Sequence, residues 1–273
     1  MGLRVNSNTS SINAQRNLTN STNGLQRSLS RLSSGLRITR ASDDAAGLAI
    51  SESFRADIRS IQQAQRNGND GISLLQIGEG ALNEVSSILI RQRELAIQAA
   101  NGTLGDDERA TVNEEFQDLT AEIDRISAVT QFNGTTILAS GPGTTFQIGI
   151  DNTSNDRITI SSVNATAAAL GTSGAAVSSA SGAQNALAVI DSAIKQVASL
   201  RAAFGTVQNR LESAIRSLTV AQENSTAAES RIRDVDFASE TAELTRNQVL
   251  QQAGISVLAQ ANVSSQAALN LLG

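Results

Sequence analysis

The chain of 273 residues contains no cysteine, no histidine, no tryptophan and no tyrosine. Without cysteine there are no disulfides, no thiolate nucleophile and no cysteine-based metal site, and the chain is compatible with any redox compartment. Without histidine there is no imidazole for acid–base work or metal ligation. Aromatic residues make up 2% of the chain and much of the hydrophobic fraction of 40% is alanine, so a thick globular core is out of reach. Long helices packed through thin Ala/Leu/Ile seams are not. Pro142 is the only proline, so almost nothing interrupts helices elsewhere. The net charge of −5 has both signs interspersed, and no basic patch marks a nucleic-acid surface. The opening MGLRVNSNTSSINAQ has no apolar core of a secretory signal peptide, and no apolar run approaches membrane-spanning length, so membrane insertion is not expected.

What is present begins at the two ends. After Arg231 the sequence runs into a proline-free stretch whose apolar residues Leu250, Val257, Leu258, Ala261, Ala268, Leu269 and Leu272 share one helical stripe. The rest of that helix is Gln, Asn and Ser, so alone it is marginal in water. At the other end, Leu18, Leu25 and Leu32 are spaced by seven, as are Leu29 and Leu36, a two-position coiled-coil seam. Each terminus reads as half of a coiled coil, expected to pair with the other and with copies of itself.

Between them the pattern predicts a mainly α fold, a long antiparallel helical bundle with terminal coiled-coil helices and a small β-hairpin region. The first helix is expected over about Asn6–Leu36. The second runs from Ala45 or Phe54 to Asn101, with Ile61, Leu75, Leu82, Leu89 and Ala96 on a seven-residue register that Gly68 completes, and Ile58 and Ile72 on a second. Gly68, Gly71, Gly78 and Gly80 lower its helix propensity and suggest close helix contact in an assembly, or local kinks. Asp106-Asp107-Glu108 opens a third helix, whose stripe Val112, Phe116, Leu119, Ile123, Ile126, Thr130 folds back on the second. Alternation at Phe146, Ile148, Ile150 and again at Ile158, Ile160, around the turn DNTSND, signals the hairpin. Residues 161–183 are expected as surface loop with some short strand. A fourth helix spans Gly182–Ile232 on Leu187, Ile190, Ile194, Val197, Phe204, Leu211, Ile215 and Leu218.

No catalytic constellation, cofactor motif or metal cluster emerges. Asp43 and Asp44 sit together, but the AAGLAISESF that follows marks them as cap and first-turn acids of a helix. Single Lys195 has no serine partner signature, and N-x-[ST] sequons such as Asn8, Asn17, Asn133, Asn152 and Asn164 are the chance yield of a Ser/Asn-rich chain. A structural protein, not an enzyme, is the expectation.

Four runs carry a resemblance: LQRSLSRLSSGLRITRASDDAAGLAIS, NGNDGISLLQIGEGALNEVSSILIRQRELAIQAANGT, EIDRISAVTQFNGTTIL and VLQQAGISVLAQANVSSQAALNLL. Together they resemble bacterial flagellin over roughly 1–140 and 183–273, in a short form without large outer domains. The resemblance implies the self-assembling subunit of the flagellar filament, for motility. Residues 1–40 and 236–273 are then the coiled-coil helices of an inner-tube domain, with Leu18, Leu25, Leu29, Leu32, Leu36, Leu250, Val257, Leu258, Ala261, Leu269 and Leu272 as assembly residues. Residues 41–138 and 184–235 are the two halves of a helical outer domain, and 139–183 a hairpin and variable surface insert. The implied partners are further copies of the chain, an export chaperone, a filament cap and hook-associated junction proteins. The implied location is extracellular, on the flagellum, reached through the flagellar type III export channel without a cleaved signal peptide. The segment from Ile90 to Ile97 also resembles the part of flagellin bound by a flagellin-sensing Toll-like receptor of the host. It assigns receptor or subunit contact to an exposed patch of Arg91, Arg93, Glu94 and Leu95, with Glu115 beside it. Alternatives of other classes are a hook–filament junction protein, a secreted coiled-coil adhesin and a helical signalling hairpin; the last lacks a 144–161 hairpin and follows a membrane span.

Overall fold

The computed structural model describes residues 8–270 apart from Pro142, with side chains described as far as Val263. In chain order the elements are α1 (Thr9–Ser34), α2 (Ala45–Ala99), α3 (Asp106–Val129), β1 (Gln131–Phe132), β2 (Thr135–Thr136), β3 (Thr144–Gln147), β4 (Arg157–Ile160), α4 (Ala167–Leu170), α5 (Ala180–Arg233) and α6 (Phe237–Asn270). The fold is mainly α, as the periodicity predicts. Two compact units divide the chain: the residues up to 58 with those from 224 onward, and residues 59–223.

The 59–223 unit is built on the predicted seams. Ile61, Leu75, Leu82, Leu89 and Ala96 of α2 are all buried, with Ile72 packed against the same core. Phe116 and Ile123 of α3 and Ile190, Val197, Phe204 and Leu211 of α5 complete it. α3 runs antiparallel to α2: Gln92 Nε2 donates to Thr120 Oγ1 at 2.8 Å, while Arg109 Nε donates to the Ala99 carbonyl at 3.0 Å. On α5 the small residues Ala183, Ala186 and Ala193 are buried, whereas Leu187 and Ile194, expected on the inner stripe, are only partly covered. Alanine is inside because it lets the helices approach closely.

Of the four glycines singled out in α2, Gly68, Gly71 and Gly78 serve the same end within the chain, and Gly80 has open space around it. A β-carbon at Gly78 would stand 2.5 Å from Phe204 Cε2, and one at Gly71 would meet Leu211 and Phe146 at 3.1 Å.

β3 and β4 pair antiparallel in the register Thr144↔Ile160 to Gln147↔Arg157, with Phe146, Ile148, Ile158 and Ile160 buried. Ile150 departs from the predicted alternation. The Ile148 and Gly149 N–H groups both donate to the Asp156 carbonyl, which ends the ladder and turns Ile150 outward.

Residues 161–183 are not the surface loop their composition suggests. Val163, Ala165, Ala167, Leu170 and Val177 are buried, and α4 forms one turn among them. Side chains of α3 hold the backbone of this segment. Ser127 Oγ donates to the Ala165 carbonyl, Asp124 Oδ1 accepts from the Ala167 N–H, Gln117 Nε2 donates to the Ala175 carbonyl and Asn113 Oδ1 accepts from the Val177 N–H. Those bonds satisfy buried main-chain groups that have no strand partner.

In the unit of the two termini, α1 ends at Gly35 in the left-handed region (φ 72°). The chain then bridges Leu36 to Asp234 antiparallel, and the Arg37 guanidinium reaches the Ile232 carbonyl at 2.6 Å. Asp44 caps α2 as expected, whereas Asp43 is not a first-turn acid and instead closes the turn before the helix. Asp44 Oδ1 accepts from the Gly47 N–H at the start of α2, and Asp43 Oδ2 accepts from the Thr39 hydroxyl and the Thr39 and Arg40 N–H groups. The Thr39 hydrogen bond is the main cause of an Asp43 pKa below the usual carboxylate value.

Candidate assembly surfaces

α1 and α6 lie antiparallel along each other. Asn8 Nδ2 donates to the Ala261 carbonyl, Gln251 Nε2 to Thr22 Oγ1, and Arg31 forms an ion pair with Glu240 at 3.4 Å. Asn8 also caps α1, its Oδ1 accepting from the Ser11 N–H. At the far end, Asp236 caps α6 by accepting from the Ala238 and Ser239 N–H groups. The seam is narrow: Ala14, Ser28, Asn247 and Ala261 are buried, while Leu18, Leu25 and Leu32 are half-buried. Small residues set its closeness. A β-carbon at Gly24 would stand 2.9 Å from Asn247 Oδ1, and one at Gly254 would touch Leu18 Cδ1 at 3.5 Å.

Apolar side chains are left over around this pair. On α6, Val249 is 61% exposed, Ile255 53%, Val257 58% and Val263 55%; on α1, Ile12 and Leu29 stand out in the same way. Isolated exposed apolar residues are normal. A helix that carries them around its circumference, beside a partner covering only one side, has apolar surface for further neighbours.

The second surface lies on α2 and its neighbours. Arg91 bonds Glu115 of α3 at 2.8 Å and Glu94 at 3.0 Å, and Arg93 bonds Asp191 of α5 at 2.8 Å. These hydrogen bonds raise the pKa of both guanidiniums, Arg91 chiefly through Glu115 and Arg93 chiefly through Asp191. All five charged groups are exposed, so the pairs orient side chains more than they stabilise the unit.

Among the described residues, no group of three acidic side chains could hold a metal ion, and no helix is long and apolar enough to cross a membrane.

Two family models take in most of the chain: the bacterial flagellin N-terminal helical region matches residues 5–141, and the C-terminal helical region matches residues 187–272. A flagellin of Halalkalibacterium halodurans is 48% identical over 98% of this chain and 99% of its own length. A flagellar filament 33 kDa core protein of Treponema phagedenis is 42% identical over 98% of this chain and 99% of its own. The chain belongs to the bacterial flagellin family. Among solved structures, a Bacillus cereus flagellin superposes with a TM-score of 0.51 at 33% identity, over 56% of this chain and 88% of that one. A putative flagellar hook-associated protein of Vibrio parahaemolyticus shares the fold, with a TM-score of 0.58 at 15% identity over 70% of this chain and all of that one. The flagellin reading is therefore favoured over a junction protein or a signalling hairpin.

The flagellin helices place the sequence-derived assembly residues unevenly. Leu18, Leu25, Leu32, Leu258 and Ala261 lie on the α1–α6 seam, and Leu36 at the bridge to Asp234. Leu29 is about half exposed, and Leu250 and Val257 flank the seam, about half exposed or more and lining a groove with Ala14, Asn17, Asn20 and Ser21 of α1. The stripe of α6 that covers α1 runs through Asn247, Gln251, Gly254, Leu258 and Ala261, rotated from the apolar one: Asn247 lies over Gly24, Gln251 bonds Thr22 and Gly254 leaves room for Leu18. The side chain of Leu269, and Leu272 altogether, lie outside the described residues. Sequence reading missed Asn8, Gly24, Thr22, Asn247 and Gln251. Their signal was available, since 247, 251, 254, 258 and 261 keep the 4-3-4-3 spacing of a heptad with amides and glycine in place of leucine.

On the second surface the exposed patch is smaller than expected. Leu95 is 1% exposed and packs in the core with Phe116 and Leu89, as does Gln92 between Arg91 and Arg93. Both positions fall on the inner face of α2, to which the 3.6-residue period returns every three or four residues.

Proposed function

We propose that this flagellin polymerises through α1 and α6, whose uncovered apolar residues are completed by the same helices of neighbouring copies in an extracellular filament. The observation that carries this reading is the narrow seam beside exposed Val249, Leu250, Ile255, Val257 and Val263. Burying one such side chain contributes roughly 1.5–3 kcal/mol. Several per neighbour, repeated laterally, offset the entropy of docking a subunit. One copy alone has only the thin seam, so assembly is favoured at a growing end and disfavoured between isolated chains. Contacts of this kind join different faces and do not close, which yields an open helical polymer. In this reading 1–40 and 236–273 line the inner tube, 41–138 and 184–235 form the outer wall, and 139–183 the outer surface.

The test uses the full chain with Ile255→Asp and Val257→Asp, positions exposed beside an intact α1–α6 seam. Helicity by circular dichroism stays at the wild-type level, and negative-stain electron microscopy after addition of concentrated sulfate, which strengthens apolar burial, shows no filaments. Long filaments from this variant refute the reading. Removal of residues 240–273 likewise leaves a soluble chain that does not polymerise.

The remaining partners rest on the sequence resemblance: an export chaperone, a filament cap, hook-associated junction proteins and passage through the flagellar export channel without a cleaved signal peptide. For the host Toll-like receptor, the support is the exposed cluster of Arg91, Arg93, Glu94 and Glu115; Leu95 acts by holding α2 in the core. Arg91→Ala should weaken receptor signalling by purified monomer, and an unchanged dose response removes this partner.

A further inference from the structure

Four asparagines precede glycine: Asn23, Asn67, Asn101 and Asn133. The side-chain amide of such a residue is open to attack by the main-chain nitrogen of the glycine, which has no β-carbon to crowd it. The four steps differ in what the backbone must give up for that ring to close.

Asn23–Gly24 and Asn67–Gly68 lie inside α1 and α2. There the glycine nitrogens belong to helical ladders, and Asn67 is further tied by its Nδ2, which donates to the Gln147 carbonyl at 3.0 Å. Asn133–Gly134 is the two-residue turn between β1 and β2, with both residues at positive φ (48° and 79°) and Phe132 paired to Thr135 across it. Ring closure at these three needs local melting first, and the population of the open form limits the rate.

Asn101–Gly102 is different. Both residues are exposed in the short connection between α2 and α3. The backbone of Asn101 is fixed from both sides: its N–H donates to the Gln98 carbonyl, and its carbonyl accepts from Arg109 Nη2 at 3.1 Å. The Gly102 N–H has no acceptor among the described residues. The Thr103 N–H donates to Asn101 Oδ1 at 3.3 Å. That bond polarises the carbonyl under attack and meets the oxygen on which negative charge develops.

The structure assigns Asn101 as a self-modifying site, where the chain deamidates without an enzyme. The Gly102 nitrogen loses its proton to solvent base and bonds to Asn101 Cγ, and the Cγ–Nδ2 bond breaks with release of ammonia. Water then opens the five-membered ring at either carbonyl, leaving aspartate or isoaspartate. One water is consumed and one ammonia released, with no oxidant or cofactor. The new carboxylate stands beside Arg109, which already bonds Asp106 at 3.3 Å, and at the start of α3, where negative charge is favoured.

Trypsin separates the four steps into the peptides Asn17–Arg27, Asn67–Arg91, Glu94–Arg109 and Ile126–Arg157. The purified full chain is incubated at 37 °C in mildly alkaline buffer, and each peptide is followed by mass for the gain of about 1 Da that replaces an amide by an acid. The gain is expected in Glu94–Arg109 first, faster at higher pH, with isoaspartate detectable there by isoaspartyl methyltransferase labelling. In Gly102→Ala, whose β-carbon meets nothing within 4 Å in the folded chain, the gain is expected to slow by about tenfold or more through crowding at the nitrogen. A gain appearing first at Asn23, Asn67 or Asn133, or none at Asn101 when unfolded chain deamidates there, overturns the assignment.

Discussion

Asn247 of α6 lies directly over Gly24 of α1, close enough that a β-carbon on Gly24 would stand 2.9 Å from the amide oxygen. Asn247 is buried on the seam, so it has little room to yield. Gly24→Val forces the helices apart at a cost of about 1–3 kcal/mol. Read as the critical concentration for polymerisation, that is a rise of about tenfold or more. Pairing Gly24→Ala with Asn247→Ala should recover most of the loss caused by Gly24→Ala alone, and a double-mutant cycle should give a coupling of about 0.5–3 kcal/mol. Additive effects would show that the two positions do not set the spacing.

Gly78 and Gly80 occupy the same helix and are expected to respond in opposite directions. Gly78→Ala drives a methyl into Phe204 and Ile137 and should destabilise the chain by about 1–3 kcal/mol. Gly80 has open space around it, so Gly80→Ala should add about 0.5–1 kcal/mol through helix propensity alone. Urea midpoints of the two variants decide it.

Gln92 is fully buried, with its Nε2 on Thr120 Oγ1 at 2.8 Å and on the Phe116 carbonyl at 3.3 Å, and its Oε1 without a partner. Thr120→Val takes away the shorter bond and should cost about 1–3 kcal/mol in urea unfolding. Adding Gln92→Leu to it removes the stranded amide and should restore much of that stability, because two apolar side chains leave nothing unsatisfied.

Acid should loosen the terminal unit through identifiable groups. The Asp43 pKa is held down first by the Thr39 hydrogen bond, and that of Glu52 by Arg233 and then Arg55. A carboxylate with a lowered folded pKa contributes stability that is complete above its ordinary range and is lost as pH falls through the folded value. The loss therefore sets in below about pH 4. Asp43→Asn should be less stable than wild type at neutral pH by circular dichroism in urea, and the two should converge as pH drops below that range. A constant gap across the titration would locate the acid sensitivity elsewhere.

The long helices were legible because their seams obey one period: Leu75, Leu82 and Leu89, or Phe116 and Ile123, are buried where a stripe puts them. The hairpin was legible from alternation up to Ile148 and not beyond, where a carbonyl of Asp156 ends the ladder. The 161–177 segment was opaque because its Ala, Ser, Thr and Gly residues show no period; its burial is imposed by α3. The facing side of α6 was opaque for a related reason. An apolar stripe predicts which side faces inward, yet the inward positions are chosen by what α1 presents, and between its leucines α1 presents Gly24, Ser28 and Thr22. Leu258 and Ala261 do lie on the seam, while Val249, Ile255 and Val263 are more than half exposed.

The hydrogen bonds from α3 to the segment after the hairpin link residues 38 to 64 positions apart: Ser127 to Ala165, Asp124 to Ala167, Gln117 to Ala175 and Asn113 to Val177. Residues 113–127 and 163–177 are in effect a lock and its key, cut from separate parts of the chain. A chimaera that exchanges 139–183 between relatives without exchanging that face of α3 would inherit a segment with nothing to hold it. Grafts should respect the pair, and natural recombination between such chains should be tolerated best where both halves travel together.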